Sequence, residues 1–155
     1  MRVVSDTTAI TTLLKAGRER LLVELFGQVL VPQAVWDELR AFHPRLPDFI
    51  LLRVAAHAGR RLPETQALGG GEAEAIQLAM EINADLLLTD DLAARRAAVH
   101  LKIKCAGLLG LLVRARQSGR IRSLREAMRA LGTQGGLYLS DAVKAEALKL
   151  AGETN

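Results

Sequence analysis

Apolar positions along this chain fall into two patterns. Some form short unbroken runs; others recur every three or four residues. The unbroken runs include Val3-Val4, Val29-Leu30-Val31 and Leu86-Leu87-Leu88. A run of that length suits a strand buried on both faces of a sheet. Strands are therefore predicted over residues 1–5, 29–31, 85–89 and 102–106, and residues 49–54 read equally as a strand or a helix start. The helical spacing fills the gaps between them. One helix follows a cap at Asp6, Thr7 or Thr8 and stops at Gly17. A second carries Leu21, Leu22, Leu25 and Phe26 and ends at Gly27. Pro32 suits the first turn of a third, reaching about Phe42 with Val35, Trp36 and Leu39 inward. Residues 63–71 read as a loop, and residues 72–82 as a helix with Ala75, Ile76, Ala79 and Met80 inward. Further helices are predicted over 92–100, 108–117 and 123–131, then a turn at Gly132, Gly135 and Gly136, and a last helix from a Ser140 cap to Leu150.

Strands that alternate with helices imply an α/β domain with a mainly parallel sheet covered on both faces. The chain has 155 residues and neither an internal repeat nor a linker, so 1–155 is expected to be one domain. After Ala106 the pattern is almost wholly helical, and that C-terminal third is a candidate lid or partner surface.

The acidic residues sharpen this outline. Asp6 closes the first run, and Asp90-Asp91 close the run ending at Thr89. Carboxylates there point to the crevice where open parallel sheets bind ligands. Glu72 and Glu74 follow Gly69-Gly70-Gly71 at a helix start, and Asp37-Glu38 lie on the helix after the second strand. Gathered carboxylates raise one another's pKa unless a cation lies between them. An all-oxygen set suits Mg²⁺ or Mn²⁺. Each acid also has a structural reading: Asp6 and Asp90-Asp91 as caps, Glu72 and Glu74 as dipole partners, Glu38 as a solvated residue. Glu72 sits closest to the glycine turn and is preferred to Glu74.

Charge adds a substrate class. The net charge is +4, from 21 Lys and Arg against 17 Asp and Glu, and Arg dominates residues 95–129. A basic surface around an acidic site suits a polyanion. Aromatics are scarce, with Phe26 and Trp36 on apolar faces, so affinity is expected to come from Arg95, Arg96, Arg114 and Arg116. The other chemistries fail on spacing. Gly69-Gly70-Gly71 lacks the Lys-Ser/Thr ending of a phosphate loop, and His43, His57, His100 and Cys105 share no metal-ligand spacing. Asp6-Thr7-Thr8 lacks the second Asp of phosphoaspartate phosphatases. Cys105, the single cysteine, reads as a buried structural thiol. No signal peptide or membrane span is legible, and a cytoplasmic protein is expected.

Four segments carry a resemblance. Val4-Ser5-Asp6-Thr7-Thr8, Trp36-Asp37-Glu38-Leu39, Gly71-Glu72-Ala73-Glu74-Ala75-Ile76 and residues 85–91 together resemble a PIN-domain protein. The likeness is to the prokaryotic branch catalogued as a PIN-like domain of unknown function, and it rests on the order and spacing of the segments. It implies a three-layer α/β/α sandwich and a Mg²⁺- or Mn²⁺-dependent ribonuclease. It also implies the toxin of a type II toxin–antitoxin pair, acting on RNA, bound by a small antitoxin protein and forming a homodimer. By the same resemblance Asp6, Glu38, Glu72 and Asp91 are catalytic, and Asp6, Glu72, Asp90 and Asp91 bind metal. Glu72 stands where many relatives have Asp. Thr7, Thr89, Arg95 and Arg96 are the expected substrate contacts. The competing expectation is a non-catalytic PIN-like module that binds nucleic acid or protein and whose acids only cap helices. A receiver-like domain is disfavoured because no Lys follows the last strand in the required place. Finally, Leu108, Leu109, Leu111, Leu112 and Val113 exceed one helix stripe, so part of that helix is expected to face a second subunit unless the C-terminal helices enclose it.

Overall fold

The computed structural model describes residues 1–153. Five strands form one sheet: β1 (Val3–Ser5), β2 (Val29–Val31), β3 (Ile50–Leu52), β4 (Leu86–Leu88) and β5 (Cys105–Ala106). All pairings are parallel, in the order β3-β2-β1-β4-β5. The eight helices among the described residues are α1 (Thr7–Ala16), α2 (Arg20–Phe26), α3 (Gln33–Phe42), α4 (Gly70–Glu81), α5 (Leu92–His100), α6 (Leu108–Gln117), α7 (Leu124–Thr133) and α8 (Asp141–Leu150).

Side chains alternate across a strand, so each face of the sheet builds its own core. Val3, Val29, Val31 and Leu88 join residues of α1, α2, α3, α6, α7 and α8 in one cluster. Val4, Leu30 and Leu87 join α4 and α5 in the other. That second layer is thin because alanines face the sheet: Ala73, Ala75, Ala79, Ala94, Ala97 and Ala98 are all buried. The result is a three-layer α/β/α sandwich.

Sequence and structure differ in informative places. The expected 102–106 strand shrinks to Cys105–Ala106, because Lys102 takes a left-handed φ of 61° in a turn closed by an Ile103 N–H to Ala98 C=O bond. Residues 49–54 resolve as β3, an edge strand with Leu51 and Leu52 partly exposed. Helix α4 begins at Gly70, inside the expected loop, and the remainder of that loop holds a 3-10 turn at Pro63–Thr65. Met80 is exposed, not inward; Leu78 and Gln77 are buried instead, because α4 is covered on more than one side. Gly132 lies within α7 and not in the turn that follows it. Cys105 is half-buried, and burial pushes its thiol pKa up despite the nearby Arg95 charge.

The C-terminal third is structural. Helix α7 packs on α1, and α6 packs on both α7 and α8. Leu108, Leu111 and Leu112 are enclosed there, whereas Leu109 and Val113 are half-buried and line a groove with Val143 and Leu150. Among the described residues no helix is long and apolar enough to cross a membrane.

Candidate functional site

In this strand order β1 leads to β2 on one side and borders β4 on the other, so the connection direction reverses between β1 and β4. Crevices for ligands open there, beyond the carboxyl ends of the strands. Register fixes what lies in the crevice. Ser5 pairs with Leu88, so the next residues, Asp6 and Thr89, emerge side by side. The Asp6 N–H continues the ladder to the Leu88 carbonyl at 3.1 Å.

Asp6 is 3% exposed, an unusual place for a carboxyl. Its Oδ1 accepts the Ala9 N–H at 3.0 Å, capping α1, and the Thr89 hydroxyl donates to it. Burial nevertheless raises its pKa from 3.8 to about 6, and the charges of Glu72 and Asp90 push in the same direction. Those effects name the two acids whose charge reaches Asp6 at the end of β1: Glu72 from the first turn of α4 and Asp90 from the turn after β4.

The two adjacent aspartates point to different partners. Asp90 faces across to α6, its carboxylate oxygens 3.1 and 3.3 Å from the Leu108 N–H. A Cβ on Gly107 would overlap the Asp90 carboxylate, so the glycine allows that approach. Asp91 is exposed and caps α5 through the Ala94 N–H at 2.8 Å. Its own N–H donates to Thr89 Oγ1 at 3.2 Å, so Thr89 ties Asp91's backbone to Asp6's side chain.

Glu38 lies at the exposed rim, where the Thr7 hydroxyl donates to its Oε2 at 2.8 Å. It lies against α4: a Cβ on Gly71 would come within 2.8 Å of its Oε1. Asp37 faces solvent and accepts from Gln33 at 2.8 Å. Glu74 has a structural task not legible from its spacing. Its carboxylate accepts the Ala34 N–H at 3.0 Å and so caps α3, whose own N-cap, Pro32, supplies no side-chain acceptor. Arg95 borders Asp90, its Nη1 3.1 Å from where a Gly107 Cβ would lie. Arg96 is exposed and borders surface depressions along α5, one of them shared with Pro63 and Glu64 and another with Arg95. Arg116 pairs with Glu153 at 3.2 Å, and Arg114 lies over the Phe26 ring, 5.4 Å from its centroid.

Among the described residues no three Asp, Glu, His or Cys side chains are placed closely enough to hold an ion as they stand. The physical reason is local. Asp6, Asp90 and Asp91 each rest on a helix N–H, and Glu72 folds back over its own N-cap, Gly69, where a Cβ would lie 2.7 Å from its Oε2. The donor set still fits a hard divalent cation. Asp6 is a buried carboxyl with a raised pKa that feels the charges of Glu72 and Asp90, and every candidate ligand is an oxygen.

A family model described as a PIN domain matches residues 2–153. No curated protein and no solved structure matches the chain.

Proposed function

The chain belongs to the PIN-domain family, whose members are generally nucleases, and from that premise we propose a divalent-metal-dependent endoribonuclease, the toxin of a type II toxin–antitoxin pair. The observation that carries the nuclease reading is Asp6: a carboxyl 3% exposed at the switch point, its pKa raised by burial and by the charges of Glu72 and Asp90. A structural cap needs neither that burial nor those neighbours. The toxin role and the antitoxin partner follow from the family resemblance.

Asp6, Glu72 and Asp90 would hold Mg²⁺ or Mn²⁺, with Asp91 on the same turn. The ion would supply Lewis acidity at the phosphodiester and acidify water near neutral pH. Thr89 keeps the Asp6 carboxylate oriented by its hydroxyl. Glu38, held at the rim by the Thr7 hydroxyl, would take a proton from an attacking water. Arg95 offers a positive charge beside Asp90 and suits a phosphate oxygen. Arg96, on the outer side of α5, does not share that position.

Purified protein free of any partner should cleave RNA with Mn²⁺ and stop in EDTA, and Asp6→Asn should reduce the rate by several orders of magnitude. A small protein encoded beside it should co-purify and inhibit. The second reading, a non-catalytic binding module, is favoured by the capping roles of Asp6, Asp90 and Asp91. Absence of metal-dependent cleavage across a diverse RNA pool would select it. The half-buried Leu109 and Val113 face supports a homodimer, and a strict monomer by light scattering at tens of micromolar would exclude that assembly.

A further inference from the structure

Tyr138 is 86% exposed, yet it does not sit on a loose segment. It lies between Leu137 and Leu139, both packed against the first core. With the leucine on each side packed inward, the tyrosine between them is left facing outward. The Leu137 N–H is bonded to the Leu131 carbonyl at 2.9 Å. Gly135 lies so tightly on α1 that a Cβ would come within 2.8 Å of a Thr12 methyl. The ring is thus presented to solvent by a fixed backbone.

A cavity of about 500 Å³ opens beside it, between α7 and α8. Arg125, Arg129 and Thr133 line it from α7, and Asp141 and Lys144 from α8. Three cations therefore face one acid. Arg125 and Arg129, four residues apart on α7, share a helix face, and both are exposed. Arg129 and Lys144 make no ion pair among the described residues, in contrast to Arg116, which is held by Glu153. None of these residues belongs to the acidic crevice.

An exposed aromatic ring beside Arg129 and Lys144, neither of them ion-paired among the described residues, is what an unpaired nucleotide recognises. The base stacks on the ring and the flanking phosphates meet the cations. A duplex keeps its bases stacked internally and would leave the ring unused, and an acidic peptide would need only the cations. We infer that the α7–α8 cavity is a second binding site, for single-stranded nucleic acid, with Tyr138 stacking a base and Arg129 and Lys144 taking phosphates. The inference rests on the nucleic-acid reading of this chain and narrows it to single strands held outside the catalytic crevice.

The test is fluorescence anisotropy in EDTA with a labelled mixed-sequence RNA of about twelve nucleotides, its duplex, and a poly-glutamate peptide as competitor. The single strand should bind more tightly than the duplex. Tyr138→Ala should weaken it roughly ten-fold, and Tyr138→Phe should keep wild-type affinity because stacking needs only the ring. Joint Arg129→Glu and Lys144→Glu should lower the salt slope by roughly 1.4, the value for two phosphate contacts on a single strand. Thermal melting of Tyr138→Ala should match wild type, since the side chain is exposed. Wild-type affinity in Tyr138→Ala overturns the site, as does equal binding of the duplex. Poly-glutamate displacing the RNA with no dependence on Tyr138 overturns it too, and assigns the face to an acidic protein. Cleavage by the metal-loaded protein is scored separately. Intact cleavage with unchanged Tyr138→Ala binding removes only this site, whereas Tyr138-dependent binding without cleavage removes only the nuclease.

Discussion

Asp6→Asn should make the metal-free protein more stable while abolishing its activity. The folded-state pKa of Asp6 is about 6 against an unperturbed 3.8. Across that interval the folded chain holds the proton that the unfolded chain has released. Wild-type stability therefore falls as pH rises from about 4 to about 6, and stays low above that. At about 1.4 kcal/mol per pH unit, keeping Asp6 ionised at pH 8 costs about 3 kcal/mol. Asparagine caps a helix as well as aspartate, so the Ala9 N–H keeps its acceptor while the charge disappears. For a chain of this length the gain corresponds to roughly 6–12 °C in Tm. Denaturant melts in EDTA at pH 4, 6 and 8 read it directly: the two proteins should coincide at pH 4 and separate by pH 8. Adding Mn²⁺ at about a hundred times its Kd should return about 2.7 kcal/mol to the wild type and nothing to Asp6→Asn. A mutant less stable than wild type at pH 8, or a difference that is the same at pH 4 and pH 8, would refute the reasoning.

Two further expectations concern the supports of the site. Gly107→Ala should displace the Asp90 carboxylate from the Leu108 N–H, costing about 1 kcal/mol of stability and at least ten-fold in Mn²⁺ affinity by calorimetry; unchanged affinity would remove Asp90 from the ion site. Glu153 accepts the Leu124 and Arg125 N–H groups, the Ser123 hydroxyl and Arg116, and those bonds lower its pKa, the Leu124 N–H most of all. Its contribution is present above the ordinary value of 4.5 and lost as pH falls through the lower folded value, so Glu153→Gln should cost stability at pH 7 and nothing in strong acid, as measured by denaturant melts.

The fold was legible because its signals are local. Gly17, in the left-handed region at φ 67°, stops α1, and Ser140 caps α8 by accepting the Val143 N–H. Boundaries failed where tertiary context decides them, as at Lys102, or at Met80, whose helical phase is right but whose side of α4 is uncovered. In the candidate site, sequence singled out the acids but not the partners each takes. Asp90 and Asp91 are neighbours in the chain, and only the position of α6 decides which one turns toward Asp6. Glu74 ranked below Glu72 by spacing alone, and its actual task, capping α3 where Pro32 offers no side-chain acceptor, depends on a helix forty residues earlier in the chain. Tyr138 carried a signal that was readable in principle, a tyrosine alternating between two leucines, but the cations beside it come from the two helices that flank it.

The crevice also explains why caps and metal ligands were hard to tell apart. Parallel strands deliver their following helices amino-end first toward the carboxyl edge of the sheet. The N-termini of α1, α4, α5 and α6 therefore bear on the same acids: Asp6, Glu72, Asp91 and Asp90 respectively. Each N-terminus offers free N–H groups and about half a positive charge, each worth roughly 0.3–1 kcal/mol to a nearby carboxylate. Those partial charges let an ion-free chain keep several carboxylates together, and they make every acid look like a cap. The exception is Asp6, where burial outweighs its cap and leaves a raised pKa. An incoming cation would relieve that residual cost at Asp6 and must compete with backbone N–H groups at Asp90 and Asp91. Asp6 is therefore the residue whose removal separates binding from folding most cleanly.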